Sequence, residues 1–471
     1  MIDPTARVVR PRIGLLPIGH FYYWEQFPRL KAMGERMYAA LRGRLESIGD
    51  IVAPPLVDTA EKSEAAGRLF RDEGIDLLFV FPFGYAPSMT VVPAAHDLDV
   101  PIRILNAHED RSYPYATADT TDYLHHEGVC CVPEIAGALM AIGKELRVRT
   151  GPFDEQRLWS EVRADAMGAA AARAFGALSF GLIGQIYPGM SDMPIDEHRL
   201  LRATGKLLVR PEVEEIEEAF GRVTPDRLAR MVDELRAMYE VDGSVTDEHM
   251  RMAAQLSVAY DEVVRERHAI DAFGYYWWGE KDLLTQLRAE SGLAVSRLAA
   301  LGCPGVTEGD VKTAMAMKIL DLLGGGGMFT EFFAMDFDGE FLLMGHDGPG
   351  NIAVADGPAR LRHLDVHHGK SGHGLGIDFD VAPGVVTLLN LTQVDAGETF
   401  KLIYSVAEVI PGDILAIGNP NCRVRVSQPL HEFMDAWCRQ GPSHHIALGI
   451  GDHAGEVETF CEAMRFGCAR V

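Results

Sequence analysis

The chain has 471 residues, 47% hydrophobic and 24% charged, with a formal net charge of -24. Two or three domains are expected at that length, in a soluble globular protein. So acidic a chain, without a Lys/Arg block, argues against a nucleic-acid binder. Nor does any run approach the roughly 18 uncharged apolar residues of a membrane span.

The seven cysteines are odd in number, with no C-x-x-C, so a reduced, cytoplasmic protein is expected. MIDPTARVVRPRIGLLPIG reads as the lead-in to a first strand rather than a signal peptide. Residues 12–173 then alternate short apolar strands (RIGLLPIG, IVAPPL, IDLLFVFPFG, PIRILNA) with helices predicted at about 27–48 and 59–73. That alternation specifies a parallel sheet with helices on both faces, which binds ligands at the carboxyl ends of its strands. Those ends carry His20, Tyr22, Trp24, Tyr85 and His108, with no G-x-G-x-x-G fingerprint after the first strand. The aromatic cluster lines a pocket or packs as core. A further helix is expected from Tyr123 to near Lys144, with His125 and His126 at its start.

A second α/β unit is expected over 174–323. SFGLIGQIYPGMSD repeats the strand-and-loop design, and helical surfaces are predicted at 212–218, 227–240, 246–266 and from 281 to 290. The aromatic stretch IDAFGYYWWGE, with Trp277, either covers a polyol ring or closes a core. From Met328 onward the texture changes to short strands with turn signals, including a 328–346 hairpin, 385–393, 399–410, DILAIG and CRVRVS, which favour an antiparallel barrel or sandwich.

The join between these two regions carries the chemistry. Thr307 followed by Asp310 has the form of a capping box opening a helix that Gly324–Gly327 stops. Asp338-Gly339 then suits a two-residue hairpin turn. In that register Phe337 faces Glu340, Met335 faces Leu342, Phe333 faces Met344 and Glu331 faces His346. A carboxylate and an imidazole so paired can grip one ion, and Glu308 can supply a second carboxylate. Such a pair is more often simply solvated. Here Glu331 shares the proposed face with Phe333, Met335 and Phe337, where a carboxylate needs a partner or an ion to offset desolvation. Histidines also cluster at 363–373 and at 444–453, a weaker signal on its own.

Glu308-Gly309-Asp310 with Lys312-Thr313-Ala314, then Glu331, Gly345-His346 and Ser443-His444-His445, together resemble the L-arabinose isomerase and L-fucose isomerase superfamily. The resemblance is nearest to L-arabinose isomerase in domain order. It implies an α/β protein with a flavodoxin-like parallel-sheet domain (1–173), a second α/β domain (174–323) and a mainly antiparallel β-barrel-like C-terminal domain (324–471). It implies a divalent metal, usually Mn2+, held by Glu308, Glu331, His346 and His445. It also implies a homo-oligomer, a hexamer as in arabinose isomerases, with His126 (or His125) reaching a neighbouring subunit's site. The implied activity is aldose–ketose isomerisation through an enediol, with Glu308 and Glu331 as the catalytic carboxylates and His126, His20 and Tyr22 toward the sugar. The loop GHFYYWEQF after the first strand differs from the family's usual substrate-contacting loop. The expected substrate is therefore broad: an unphosphorylated sugar of four to six carbons, with L-arabinose one candidate. The same scaffold also suits a metal-dependent epimerase or lyase on another polyol or sugar acid, or a non-catalytic sugar-binding homologue.

Overall fold

In the computed structural model, which describes residues 4–113, 115–278, 282–364, 374–417 and 419–471, the run RIGLLPI forms β1 (Arg12–Ile18). With β2 (Asp50–Val52), β3 (Leu77–Pro82), β4 (Ile102–His108) and β5 (Leu146–Pro152) it makes an all-parallel sheet in the order β2-β1-β3-β4-β5. Successive residues feed opposite faces. Leu16, Leu78, Val80 and Ile104 enter one apolar cluster, while Ile13, Leu15, Leu77, Phe79 and Leu105 enter another. Helices therefore cover both sides, and the strands read as continuous apolar runs. These elements form an N-terminal unit, Val9–Arg173 with Gly455–Ala463. The helix expected from Tyr123 to Lys144 is two helices, Thr120–His126 and Gly128–Ala141.

The larger unit comprises Met1–Val8, Ala174–Ala454 and Met464–Val471. Its strands begin with β6 (Phe180–Gly184), β7 (Glu240–Val241), β8 (Ala272–Tyr276) and β9 (Gly305–Val306). They continue with β10 (Met328–Asp336), β11 (Phe341–Gly345), β12 (Arg360–Leu364), β13 (Gly374–Asp378), β14 (Gly384–Thr392) and β15 (Lys401–Ile410). β16 (Asn421–Arg425), β17 (Ile446–Ile450) and β18 (Gly467–Arg470) complete the set. β6, β8 and β9 form a small parallel sheet, and β13-β12-β7 a second small one. The main sheet runs β14-β17-β10-β11-β16-β15-β18, and β14 also pairs with β15. Six antiparallel strands thus pair in a closed cycle, to which β18 adds in parallel beside β15. Between the small parallel sheet and this cycle runs the helix Val311–Leu322, whose residues are all buried.

Three sequence expectations are corrected here. The helix cap is Asp310, not Thr307. The Asp310 carboxylate accepts from the Thr313 backbone N–H at 3.2 Å, while Thr307–Gly309 forms a separate 3-10 turn. The hairpin turn has four residues, 337–340, because the Asp336 carboxylate accepts the Gly339 N–H at 2.7 Å and ends the ladder at Asp336–Phe341. DILAIG forms no strand among its described residues. Asn421 instead ties both the N–H and the carbonyl of Leu415 into a loop. The histidines at 367, 368 and 373 lie outside the described residues.

Candidate metal centre

Glu331 occupies a junction of three strands. Its own strand pairs Thr330 with Ile446 of β17, so the same register carried one residue further sets Glu331 against His445. On its other edge Glu331 pairs with Gly345, the residue before His346. The expected Glu331–His346 pairing is therefore off by one. Pairs nearest the turn keep the predicted register (Met335–Leu342, Ala334–Leu343), but a bulge at Phe333 shifts it before Phe332–Met344. The bulge also lays the Phe333 ring over Gly345. A Cβ there would lie 2.8 Å from that ring and 2.7 Å from the Pro420 carbonyl, so only glycine fits. Phe329, two residues before Glu331, packs its ring against both imidazoles, at 4.1 Å from His346 and 4.6 Å from His445.

Glu308 arrives by a different route. It follows β9 in a left-handed conformation with φ 63°, uncommon for a residue with a side chain. Its carbonyl accepts the Tyr187 N–H at 2.9 Å. Gly309 is left-handed too, and a Cβ there would sit 2.5 Å from the Gln185 carbonyl oxygen. One at Gly274, on β8, would meet Gly309 at 2.6 Å. Two glycines thus let three backbone segments meet, and that meeting holds the Glu308 backbone in its strained state.

The side chains converge on His445. Its Nε2 lies 3.2 Å from His346 Nε2 and 3.5 Å from Glu308 Oε2. Ligand-type atoms of Glu331, His346 and His445 all lie within 4.8 Å of one another, as do those of Glu308, His444 and His445. The four residues implied by the resemblance are thereby brought together through His445, which both groups share. Glu308 Oε2 is buried without a hydrogen-bond partner. A buried carboxylate oxygen with no hydrogen bond, at ion-pair distance from His445 and beside two facing imidazole nitrogens, fits a divalent cation of borderline character, with nitrogen and oxygen donors.

Sequence reasoning missed the residues that aim these groups. Asp310 Oδ2, wholly buried, lies 3.0 Å from His445 Nδ1, leaving Nε2 to face the cluster. Asn390 donates its amide to the carbonyls of Ser443 and His445 and to the Ser443 hydroxyl, clamping the loop before β17. Asp192 Oδ2 accepts the His444 N–H and lies 2.6 Å from its Nδ1. The Asp310-x-x-Thr313 spacing was the available signal for the first, since it is itself an N-cap pattern. Nothing local marks Asn390 or Asp192, whose contacts to His445 and His444 span 55 and 252 residues.

Burial opposes a charge on His445, but Asp310 and Glu308 outweigh it and lift its pKa to about 9. Burial, with His445 adding, drops His346 to about 4. Burial also raises Glu331. At Glu308 burial pushes up, yet the neighbouring imidazoles hold the carboxyl below its ordinary value. One imidazolium, one neutral imidazole and a low carboxylate make a charge pattern that a bound cation would replace by displacing the proton.

The other three expected site residues, His20, Tyr22 and His126, lie in the N-terminal unit. His20 follows β1 among the rings of Phe21, Tyr22, Tyr23 and Tyr85, its Nδ1 buried without a partner. Tyr22 is 63% exposed. His126 ends its helix with Nε2 3.3 Å from Asp110 Oδ2 and its ring against Tyr113, while the adjacent His125 has a buried, unpartnered Nδ1.

Comparison with known proteins agrees with the motifs. The profile described as the L-arabinose isomerase C-terminal domain matches residues 326–466. L-arabinose isomerase from Nocardioides sp. is 22% identical over 391 residues, covering 80% of this chain and 76% of that protein. The enzyme from Clavibacter sepedonicus is 26% identical over 54% of this chain and 51% of its own length. That from Mycolicibacterium smegmatis is 26% identical over 63% and 60%. The chain thus resembles the L-arabinose isomerase superfamily over much of its length and most specifically in its C-terminal part.

Proposed function

We propose, with that superfamily resemblance as premise, that the chain is a metal-dependent aldose–ketose isomerase acting on an unphosphorylated sugar. The convergence of Glu308, Glu331 and His346 on His445, with Glu308 Oε2 buried and without a hydrogen bond, is the observation that carries it. Glu308, Glu331, His346 and His445 would hold a divalent cation, Mn2+ by resemblance. A bound cation of this kind supplies charge stabilisation to the oxygens of an enediolate.

The protein's own groups handle the protons. A carboxylate oxygen of Glu331 or Glu308 takes the proton from C2 of the open-chain aldose, while the other carboxyl group, in its protonated form, gives its proton to O1 to form the enediol. The first carboxyl group then returns its proton to C1 while the second takes the proton of O2, which leaves the ketose and restores both groups. Asp310 keeps the His445 ring oriented throughout. The cavity beside the cluster, of about 430 Å³, is lined by Asp192, Glu331 and His444 with no Lys or Arg, which favours a neutral sugar over a phosphorylated one.

The resemblance further supports a flavodoxin-like N-terminal domain, a barrel-like closed cycle in the C-terminal domain, a cytoplasmic location and a homo-oligomer, hexameric as in arabinose isomerases. In such an assembly His126 of one subunit, with His20 and Tyr22, would complete a neighbour's site. No helix among the described residues is long and apolar enough to cross a membrane.

The test is a screen of free aldoses and ketoses with Mn2+, read by NMR for C1–C2 interconversion and for solvent deuterium at the transferred position. Turnover that Glu331→Gln abolishes is the expected result. A bound metal with no isomerisation of any sugar would favour epimerase or lyase chemistry on the same scaffold.

A further inference from the structure

His346 is aimed by the segment that follows it. Its Nδ1 lies 2.7 Å from the Asp347 carbonyl oxygen and 3.3 Å from the Asp347 carboxylate. Neither group donates, so Nδ1 carries the proton and Nε2 keeps the lone pair that faces His445. The direction of that lone pair therefore follows the winding of residues 347–351. The winding needs glycine: Gly348 has φ 97°, and a Cβ at Gly350 would lie 2.8 Å from Pro420 Cγ and 3.1 Å from the Phe379 ring.

The helix Asp282–Ala300 pins this segment from outside. Ser296, wholly buried, donates its hydroxyl to the Gly292 carbonyl at 2.6 Å and accepts the Gly350 N–H at 2.9 Å. A Cβ at Gly292 would stand 3.5 Å from the Gly348 carbonyl carbon, so the helix backbone itself lies against the segment. At the far end Asn351 donates to the Gly327 carbonyl at 2.8 Å, just before β10. The Gly348 N–H reaches Asn419 Oδ1 only at 3.5 Å, a weak hold by comparison.

We propose that Ser296 is a positioning residue for the metal centre, holding residues 347–351 so that the Asp347 carbonyl aims His346 Nε2 at the ion. This rests on the reading of His346 as a metal ligand. Losing a ligand's outer partner costs about 10- to 100-fold in metal affinity, and Ser296 acts one bond further out, so about tenfold is expected.

The same helix provides a matched control. Ser291, equally buried, donates to the Leu287 carbonyl at 2.7 Å and accepts the Tyr260 hydroxyl at 2.9 Å, so its bonds lead to a neighbouring helix instead. The experiment measures Mn2+ affinity by calorimetry for the full chain, Ser296→Ala and Ser291→Ala, with thermal unfolding of each metal-free protein. Both variants should melt earlier than the wild type. Only Ser296→Ala should bind Mn2+ about tenfold more weakly and alter the visible spectrum of the Co2+-loaded protein. If Ser296→Ala yields no folded protein, Ser296→Cys takes its place with the same expected outcome, since a thiol fills the site but accepts poorly. Unchanged affinity in the Ser296 variant, or an equal loss in both serine variants, overturns the proposal. A wild type that binds no divalent metal ends the metal reading itself, and the proposal with it.

Discussion

Glu308 and Glu331 bring carboxylates to the same histidine by opposite means. The Glu308 turn is fixed by backbone conformation: a left-handed glutamate, a left-handed glycine beside it, and a second glycine on β8 that lets the turn sit against the strand. The Glu331 strand is fixed by pairing, gripped on one edge by β17 and on the other by β11, with a single bulge setting the final register. The first is a strained point held by surrounding packing. The second is an ordinary ladder whose position can slip by one residue.

That contrast makes the Glu308 turn the less tolerant of the two. Gly309→Ala puts a Cβ 2.5 Å from a carbonyl oxygen at a positive φ, and a loss of about 3 kcal/mol or more is expected in thermal or urea unfolding, with metal binding lost alongside. Gly345→Ala strains the ladder instead. Its Cβ would meet the Asn421 Cβ and the Pro420 carbonyl at 2.7 Å, but without the left-handed backbone of Gly309, so its expected cost is smaller, about 1–3 kcal/mol in the same assay.

Asp310 links the two regions, since it caps the helix after the Glu308 turn and orients the histidine beside Glu331. Asp310→Asn keeps a cap of similar quality but weakens the partner of His445 Nδ1. A drop of about 10- to 100-fold in Mn2+ affinity by calorimetry is expected, with little loss of stability. A variant that loses stability while binding metal normally would mean that the carboxylate serves the helix alone.

The smallest expected effect comes from the hairpin tip, where Glu340 is also left-handed, with φ 53°. It is far from the carboxylates and carries no such role. Glu340→Gly should therefore relieve strain and stabilise the protein by up to about 1 kcal/mol without changing metal affinity. At Glu308 the same relief would remove the carboxylate itself.

The same contrast explains what could be read from the sequence. Strands β1, β3 and β4 stood out because both faces are buried and the runs are continuously apolar. The Glu331 hairpin was legible to within one residue, because alternation and a turn dipeptide are local signals; the bulge at Phe333 answers to the ring's packing over Gly345, which is not local. The left-handed Glu308 was hidden, since Thr307 and Asp310 mimic a capping box while the close approach of Gly274 and Gln185 involves strands far away in the chain. His445 came from resemblance rather than from any pattern around it. Its partners Asp310 and Asn390 meet it only through the folding of β14 and the buried helix around β17.

Whether the two carboxylates serve one ion is decided most directly by an anomalous-difference map from crystals grown with Mn2+. One strong peak is predicted, with Glu308, Glu331, His346 and His445 as ligands at roughly 2.0–2.3 Å. A peak that leaves out Glu308 or Glu331, or the absence of any peak at His445, would contradict it.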